Sequence, residues 1–251
     1  MLRAMCTLAI ALRPSPAVVL ALTGNRNEFL RRPASPPRMW PDLPSVLMPR
    51  DDQAGGTWLG LTARGLFVCV TNRRGPAPDP ARRSRGLLVT DALRAPDAAH
   101  VREIVSAIRP SRYNGFHLVF ADAREAAVVI CDGESLEVRA LAPGEPHLIT
   151  ERSYGAGEGT REVDVLREVG PLLRQSDVTA ASLRPPMQRH GATPLEGACV
   201  HAQELGYGTR SSIQLVLRDS ECQLLWTQGH PCTEPPTDLS DVASALLGLK
   251  A

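Results

Sequence analysis

The chain contains no apolar stretch approaching the roughly 20 residues that span a bilayer, so no membrane helix is expected. It also lacks a charge excess: 28 Lys and Arg face 27 Asp and Glu, for a formal net charge of +1. Electrostatic recruitment of nucleic acid or of an acidic membrane surface is therefore not its main business. A small-molecule ligand or substrate is the expected partner. Neither a G-x-G-x-x-G nor a Walker motif is present, and no serine sits in a nucleophile elbow. Dinucleotide binding and a Ser-His-Asp triad thus find no support. The six cysteines, Cys6, Cys69, Cys131, Cys199, Cys222 and Cys232, form no C-x-x-C pair and follow no regular spacing. Structural zinc and a disulfide framework are accordingly not expected, and no metal site is assigned.

What is present is a globular composition, 43% hydrophobic and 22% charged, which excludes wholesale disorder. The 251 residues suffice for one large domain with a substantial core, and a single domain over residues 1–251 is expected. Cysteines inside apolar runs such as FVCV and VVICDG read as small core residues. Arg82, Arg83 and Arg85 fall in a Pro-rich stretch and read as a solvated turn. The N-terminal apolar run faintly resembles a secretory signal, but Arg13-Pro14-Ser15-Pro16 interrupts it. A cytoplasmic location is the expectation.

Two apolar runs, MCTLAIAL and AVVLALTGN, flank that turn and predict a buried β-hairpin over residues 5 to 23. Residues 30 to 52 read as a Pro- and Arg-rich loop. TWLGLT and GLFVCVT form a second hairpin turned at Ala63-Arg64-Gly65. DAAHVREIVSAIRP places Val101, Ile104, Val105 and Ile108 on one helical face, capped by Asp97 and stopped by Pro110. GFHLVFAD, AAVVICDG and LEVRALAP are strands, and REVDVLREVGPLLRQ is an amphipathic helix. After a connector rich in Pro and Gly, CVHA, SSIQLVLRD and CQLLWTQG are the last strands, with SDVASALLGL a terminal helix. Hairpin links without alternating βαβ units predict an α+β fold of antiparallel sheets covered by helices.

Polar residues at strand ends are the candidates for chemistry. Asn25, Arg26, Asn27 and Glu28 follow a buried strand directly and suggest a polar cluster at a sheet edge, or an Arg–Glu pair bracing a loop. The Gly-Gly of AGGTWLG permits close backbone approach to a ligand or a neighbouring strand. Asn72 offers amide donors to a developing oxyanion, or a simple turn. Arg210, entering an apolar strand, needs a carboxylate or a bound anion. His201 in ACVHA reads first as a structural histidine and second as a base.

Together these stretches resemble the NRDE family, also called the transport and Golgi organisation protein 2 family. The matching residues are Met5-Cys6, Asn25 to Phe29, Arg32-Pro33 with Trp40, Arg50-Asp51 with Ala54 to Gly60, Thr71-Asn72-Arg73, and Tyr207 to Ser211. The resemblance implies an N-terminal-nucleophile hydrolase-like fold, a four-layer αββα sandwich of two antiparallel sheets. Within that class it is most similar to the choloylglycine hydrolase and penicillin V acylase group, which cleaves amides with an N-terminal cysteine. Members of the NRDE family are connected with Golgi organisation, haem trafficking and acyl-CoA or lipid metabolism.

The resemblance makes Met5 the expected start, residues 1–4 an upstream extension, and Cys6 a nucleophile whose own α-amine accepts the thiol proton. Asn72 then stabilises the oxyanion, while Asn25, Arg26, Glu28 and Arg210 orient amine or substrate. Two departures stand against this: Asn27 replaces the motif's Asp, and the acylase group's mid-chain Asn has no counterpart near Arg152 to Gly159. The expected activity is an amidohydrolase acting on a small acyl amide, with no required cofactor. The alternative is a non-catalytic carrier for haem or for acyl-CoA or lipid, with Cys6 or His201 as axial ligand to haem. A thiol-reactive sensor is a third reading.

Overall fold

The computed structural model describes residues 5–157 and 159–249. The expected upstream extension at residues 1–4 lies outside the described residues. The chain begins with a long hairpin, β1 (Thr7–Ser15) and β2 (Val18–Phe29), turned at Pro16-Ala17. Seven strands then form one antiparallel sheet in sequence order: β3 (Ala34–Trp40), β4 (Leu43–Asp51), β5 (Leu59–Thr62), β6 (Phe67–Asn72), β7 (Phe116–Ala121), β8 (Ala126–Cys131) and β9 (Leu136–Ala140). Two helices, α1 (Arg85–Ala92) and α2 (Ala98–Ser106), connect β6 to β7.

The chain then returns to the first hairpin with β10 (His147–Thr150), α3 (Thr160–Leu173), α4 (Arg184–Met187), β11 (His201–Ala202), β12 (Tyr207–Leu217), β13 (Cys222–Gln228), β14 (Thr237–Asp238) and α5 (Ser240–Leu247). This second sheet has the order β10-β1-β2-β12-β13-β14, with β11 added beside β12. All its pairs are antiparallel.

Strand alternation explains why the sheets stack. Leu8, Ile10 and Leu12 of β1 and Leu20 and Leu22 of β2 face Leu47, Leu59, Phe67, Val119 and Val128 of the other sheet, forming the central core. The intervening Ala9, Ala11 and Ala21 are small and sit under Val165, Val169 and Leu173 of α3 and Met187 of α4. On the opposite side, Val68, Leu118 and Phe120 pack against Leu88 and Val89 of α1 and Val101 and Val105 of α2. Four layers result, α, β, β and α, in the arrangement expected from sequence. Among the described residues no helix is long and apolar enough to cross a membrane.

The segment expected to be a loop, 30 to 52, instead holds β3 and β4. Proline removes a ladder donor and is normally read as a strand breaker, but an edge strand tolerates it at a bulge. β3 is the edge of its sheet, and its pairing to β4 shifts register between Ser35 and Arg38, where Pro36 and Pro37 lie. Asp97 does cap α2, accepting from the His100 N–H at 3.0 Å, and Gly65 turns the β5–β6 hairpin with φ of 76°.

Candidate active site

Cys6 immediately precedes β1, on the face shared with Leu8 and Ile10, and so enters the space between the sheets. It lies between two cavities. The larger, about 410 Å³, is lined by Cys6, Arg26, Glu28, Asp51, Trp58 and Asn72 among others. The smaller, about 20 Å³, lies beneath it among Cys69, Val70, Thr71, Ile213 and Trp226.

Alternation along β2 sorts the NRNE stretch into two faces. Arg26 and Glu28 line the larger cavity. The Arg26 guanidinium stacks 4.2 Å above the Trp58 ring and lies 3.9 Å from Glu28 Oε2. Its side chain is 7% exposed, and burial lowers its pKa against the raising effect of Glu28. Nη1 is buried, and no described residue accepts from it. Glu28 accepts from the Phe29 N–H; Arg32, also near it, is held by Asp51 at 2.6 and 3.1 Å. Asp51 Oδ1 in turn accepts from the N–H groups of Gln53 and Ala54, fixing the turn before the Gly-Gly pair. At that turn Gly56, with φ of 74°, leaves no room for a side chain: an added Cβ would meet the Gly86 carbonyl at 2.5 Å.

Asn25 and Asn27 face the other way. Asn25 Nδ2 donates to the carbonyls of Met187 and Ala198, tying β2 to α4 and the connector beyond it. Its side-chain amide is committed to these carbonyls, while the residue also borders the smaller cavity beside Cys6. Asn27 Nδ2 donates to the Met5 carbonyl at 2.9 Å, while its Oδ1 accepts from the Thr209 hydroxyl. The amide in place of the motif's carboxylate thus supplies a donor that holds the residue preceding Cys6. Met5 N–H donates to the Tyr207 hydroxyl at 2.8 Å, and Arg161, paired with Glu151 at 2.6 Å, also reaches the Met5 carbonyl.

Arg210 is likewise displaced from its expected place. Its guanidinium donates to the carbonyls of Leu30 and Arg32, meets no carboxylate among the described residues, and lines neither cavity beside Cys6. Peptide carbonyls satisfy it, and it braces the turn that presents Arg32. Asn72, at the end of β6, does line the Cys6 cavity, and no described residue takes its side-chain amide.

Several residues of the cavity were not legible in sequence. Arg82 and Arg85, expected in a solvated turn, line it, with Arg82 bonded to the Tyr113 carbonyl and Arg85 to that of Gly115. Burial lowers the Arg85 pKa. The Pro-rich loop folds back over the sheet end and turns these cations inward, which local composition does not encode. Thr71 was also missed; its buried hydroxyl has no partner among the described residues and borders the smaller cavity.

The thiol itself is not activated as it stands. Burial pushes Cys6 up to about 11, with Arg26 opposing the shift. No histidine lines either cavity beside it. Cys69, Cys131 and Cys222 are core residues as expected. Cys199 and Cys232 instead face each other and His201.

The four-layer αββα sandwich of two antiparallel sheets, with the half-buried Cys6 at the head of β1, is the N-terminal-nucleophile hydrolase-like fold. Solved structures share this fold: a mutant conjugated bile acid hydrolase from Clostridium perfringens is similar with a TM-score of 0.56 at 13% identity, over 98% of this chain and 95% of that one. The N-acylethanolamine-hydrolyzing acid amidase ortholog of Caenorhabditis elegans is similar with a TM-score of 0.51 at 11% identity, over 86% and 95%. The chain belongs to the Transport and Golgi organisation 2 family, whose profile matches residues 5–159. The Transport and Golgi organization 2 homolog of Mus musculus is 32% identical over 168 residues, 63% of this chain and 58% of that protein. The homolog of Bos taurus is 37% identical over 153 residues, 56% and 55%. The chain thus aligns with just over half the length of these relatives.

Proposed function

We propose that the protein is a cysteine amidohydrolase acting on a small acyl amide, with Cys6 as nucleophile once it becomes the N-terminal residue. The observation that carries this reading is the position of Cys6 between two cavities, near a buried cation with a donor that no described residue accepts, and without an imidazole. A thiol held near 11 is almost wholly protonated at neutral pH, and only a base at Cys6 itself would relieve that. Removal of the preceding residue supplies one: a free α-amine titrates at about 7.7 to 8.0. The amine takes the thiol proton, the thiolate adds to the amide carbonyl, and Asn72 donates to the resulting oxyanion. Collapse expels the amine, protonated by the Cys6 ammonium, and water then hydrolyses the thioester. The two solved proteins of this fold are named as hydrolases of bile acid conjugates and N-acylethanolamines, which supports amide cleavage as the reaction class. The arginines at the rim, Arg32, Arg82 and Arg85, favour a substrate with an anionic group.

The same cations favour the second reading, a carrier that holds an anionic apolar ligand such as haem or acyl-CoA without turning it over. Proteins with Cys6 exposed as the first residue, mixed with a panel of anionic acyl amides, separate the two. Formation of a thioester on Cys6, seen as an acyl mass increment and lost in Cys6→Ala, supports the hydrolase. Stoichiometric binding with no acylation of Cys6 supports the carrier.

A further inference from the structure

Outside the Cys6 region, four donors from distant parts of the sequence converge. His190 follows α4, Cys199 and His201 bracket the start of β11, and Cys232 lies in the turn after β13. Cys199 Sγ is 3.5 Å from Cys232 Sγ and 3.5 Å from His201 Nε2, and His201 Nε2 is 3.0 Å from Cys232 Sγ. Ligand atoms of all four residues fall within 4.8 Å of one another. A tetrahedral zinc ion, with bonds of about 2.3 Å to sulfur and about 2.0 Å to nitrogen, sets sulfur–sulfur and sulfur–nitrogen separations of roughly 3.5 to 3.8 Å. The two separations from Cys199 match that pattern and the one between His201 and Cys232 is shorter; the exposed His190, its ring 4.8 Å from that of His201, offers the fourth donor.

We propose that His190, Cys199, His201 and Cys232 bind one zinc ion in a structural Cys2His2 site. Two thiolates and two imidazoles are the soft and borderline donors that zinc favours over hard cations. The surroundings hold the donors in place before metal arrives. Arg184 and Gln188 both donate to the Pro231 carbonyl, at 2.7 and 2.8 Å, which fixes the turn carrying Cys232 against the connector. Cys199 N–H donates to the Arg189 carbonyl next to His190. His230 stacks on the His201 ring at 3.8 Å and sets its plane; Gly208 permits this, since a Cβ there would come within 2.8 Å of His230 Cε1. The Gln203 amide lies 3.2 Å from His201 Nδ1. Turned to present its oxygen, it accepts the Nδ1–H that a zinc-bound imidazole carries when Nε2 is the ligand.

The site would staple a connector that lacks regular structure between α4 and β11 to the end of β13. Its consequence reaches the N-terminal arm, because His201 and Ala202 pair with Gly208 and Tyr207, and Tyr207 holds Met5 and Asn27. The proposal does not depend on the amidohydrolase reading.

The test is metal content and cobalt spectroscopy on the full chain, purified without a histidine tag under reducing conditions. After incubation with zinc and dialysis, one equivalent of zinc per chain is expected, with a higher Tm that a chelator reverses. Cobalt(II) added to the metal-free protein should produce tetrahedral d–d bands together with thiolate charge-transfer absorption. Cys199→Ser/Cys232→Ser should lose the zinc and the charge-transfer band. His190→Ala, which removes a direct ligand, should weaken binding by at least the ~10-fold that losing an outer-shell partner costs. Wild-type protein that retains no zinc, an octahedral cobalt spectrum, full zinc retention in the double variant, or a Cys199–Cys232 disulfide under these conditions would each overturn the site. The cobalt spectrum and chelator response are read on the wild type, so a variant that fails to fold does not blunt the test.

Discussion

Cys6 and the Cys199–Cys232 pair place sulfur in two opposed settings. Cys6 sits at the head of β1 near the Arg26 guanidinium, with no imidazole lining its cavities. The pair sits in the connector and a turn, in contact with an imidazole. Burial opposes a thiolate at Cys6 and at Cys199, so what differs is the source of compensating positive charge. Around Cys6 it is a fixed side-chain cation, and in the proposed processed form an ammonium. Between Cys199 and Cys232 the proposed source is an ion that neutralises both sulfurs at once. One arrangement leaves a thiolate free to attack carbon; the other would occupy it in coordination.

The sharpest way to break this contrast is to exchange its consequences. Cys6→Ala should abolish turnover of any amide that acylates the N-terminally processed protein, a loss of at least ~10³-fold in kcat, while zinc content stays unchanged. If zinc were lost as well, the two sulfur sites would not be separate. Asn72→Ala should lower kcat by about 10²-fold through loss of an oxyanion donor, with KM nearly unchanged. A rise in KM alone would place Asn72 in binding.

A pH measurement sharpens the difference further. Iodoacetamide labelling of Cys6 in protein that retains Met5 should climb with pH through a midpoint near 11. Once Cys6 is N-terminal, reaction should already be appreciable near pH 8. Arg26→Gln should move both profiles to higher pH, because the cation that opposes the burial shift is gone. No change with Arg26→Gln would show that the guanidinium serves packing against Trp58 instead.

His117 offers a stability control that lines neither cavity beside Cys6. It is fully buried in β7, and burial, followed by the charge of Arg73, lowers it from 6.5 to about 4. The unfolded chain therefore binds the proton more readily, so the stability contributed is complete above pH 6.5 and is lost as pH falls through 4. The effect amounts to up to about 3 kcal/mol. Denaturant unfolding at pH 7 and pH 4.5 should show a smaller acid loss in His117→Leu than in wild type. The smallest effect is expected at Arg210: Arg210→Ala removes bonds to two carbonyls and should cost about 1 to 2 kcal/mol of stability, with the Cys6 labelling profile unchanged.

Much of the scaffold was legible because it rests on local periodicity. The alternation of Leu8, Ile10 and Leu12 with Ala9 and Ala11 specifies a strand with a large-residue face and a small-residue face, which is a strand between a sheet and a helix. The same holds for Val101 and Val105 on α2, and for Asp97 at its cap. The failures were of a different kind. Pro36 and Pro37 hid β3 because tolerance of proline depends on being at a sheet edge. Asn25 and Arg26 are adjacent in sequence, yet strand alternation commits the Asn25 amide to α4 and turns Arg26 into the larger cavity.

By itself, then, the sequence determined the layered α+β architecture, the position of Cys6 at the mouth of the first strand, and membership in the Transport and Golgi organisation 2 family. Those follow from patterns within a few residues and from motifs in fixed order. Only the tertiary structure decided that Arg82 and Arg85 turn into the Cys6 cavity, that Arg210 spends its donors on carbonyls, and that His190, Cys199, His201 and Cys232 meet. These are contacts between side chains from separate elements, including a pair 42 residues apart in sequence, and their geometry is set by how the connector and the turn after β13 close on each other. No local pattern records such a closure, because the free energy that selects it comes from the packing of the whole chain.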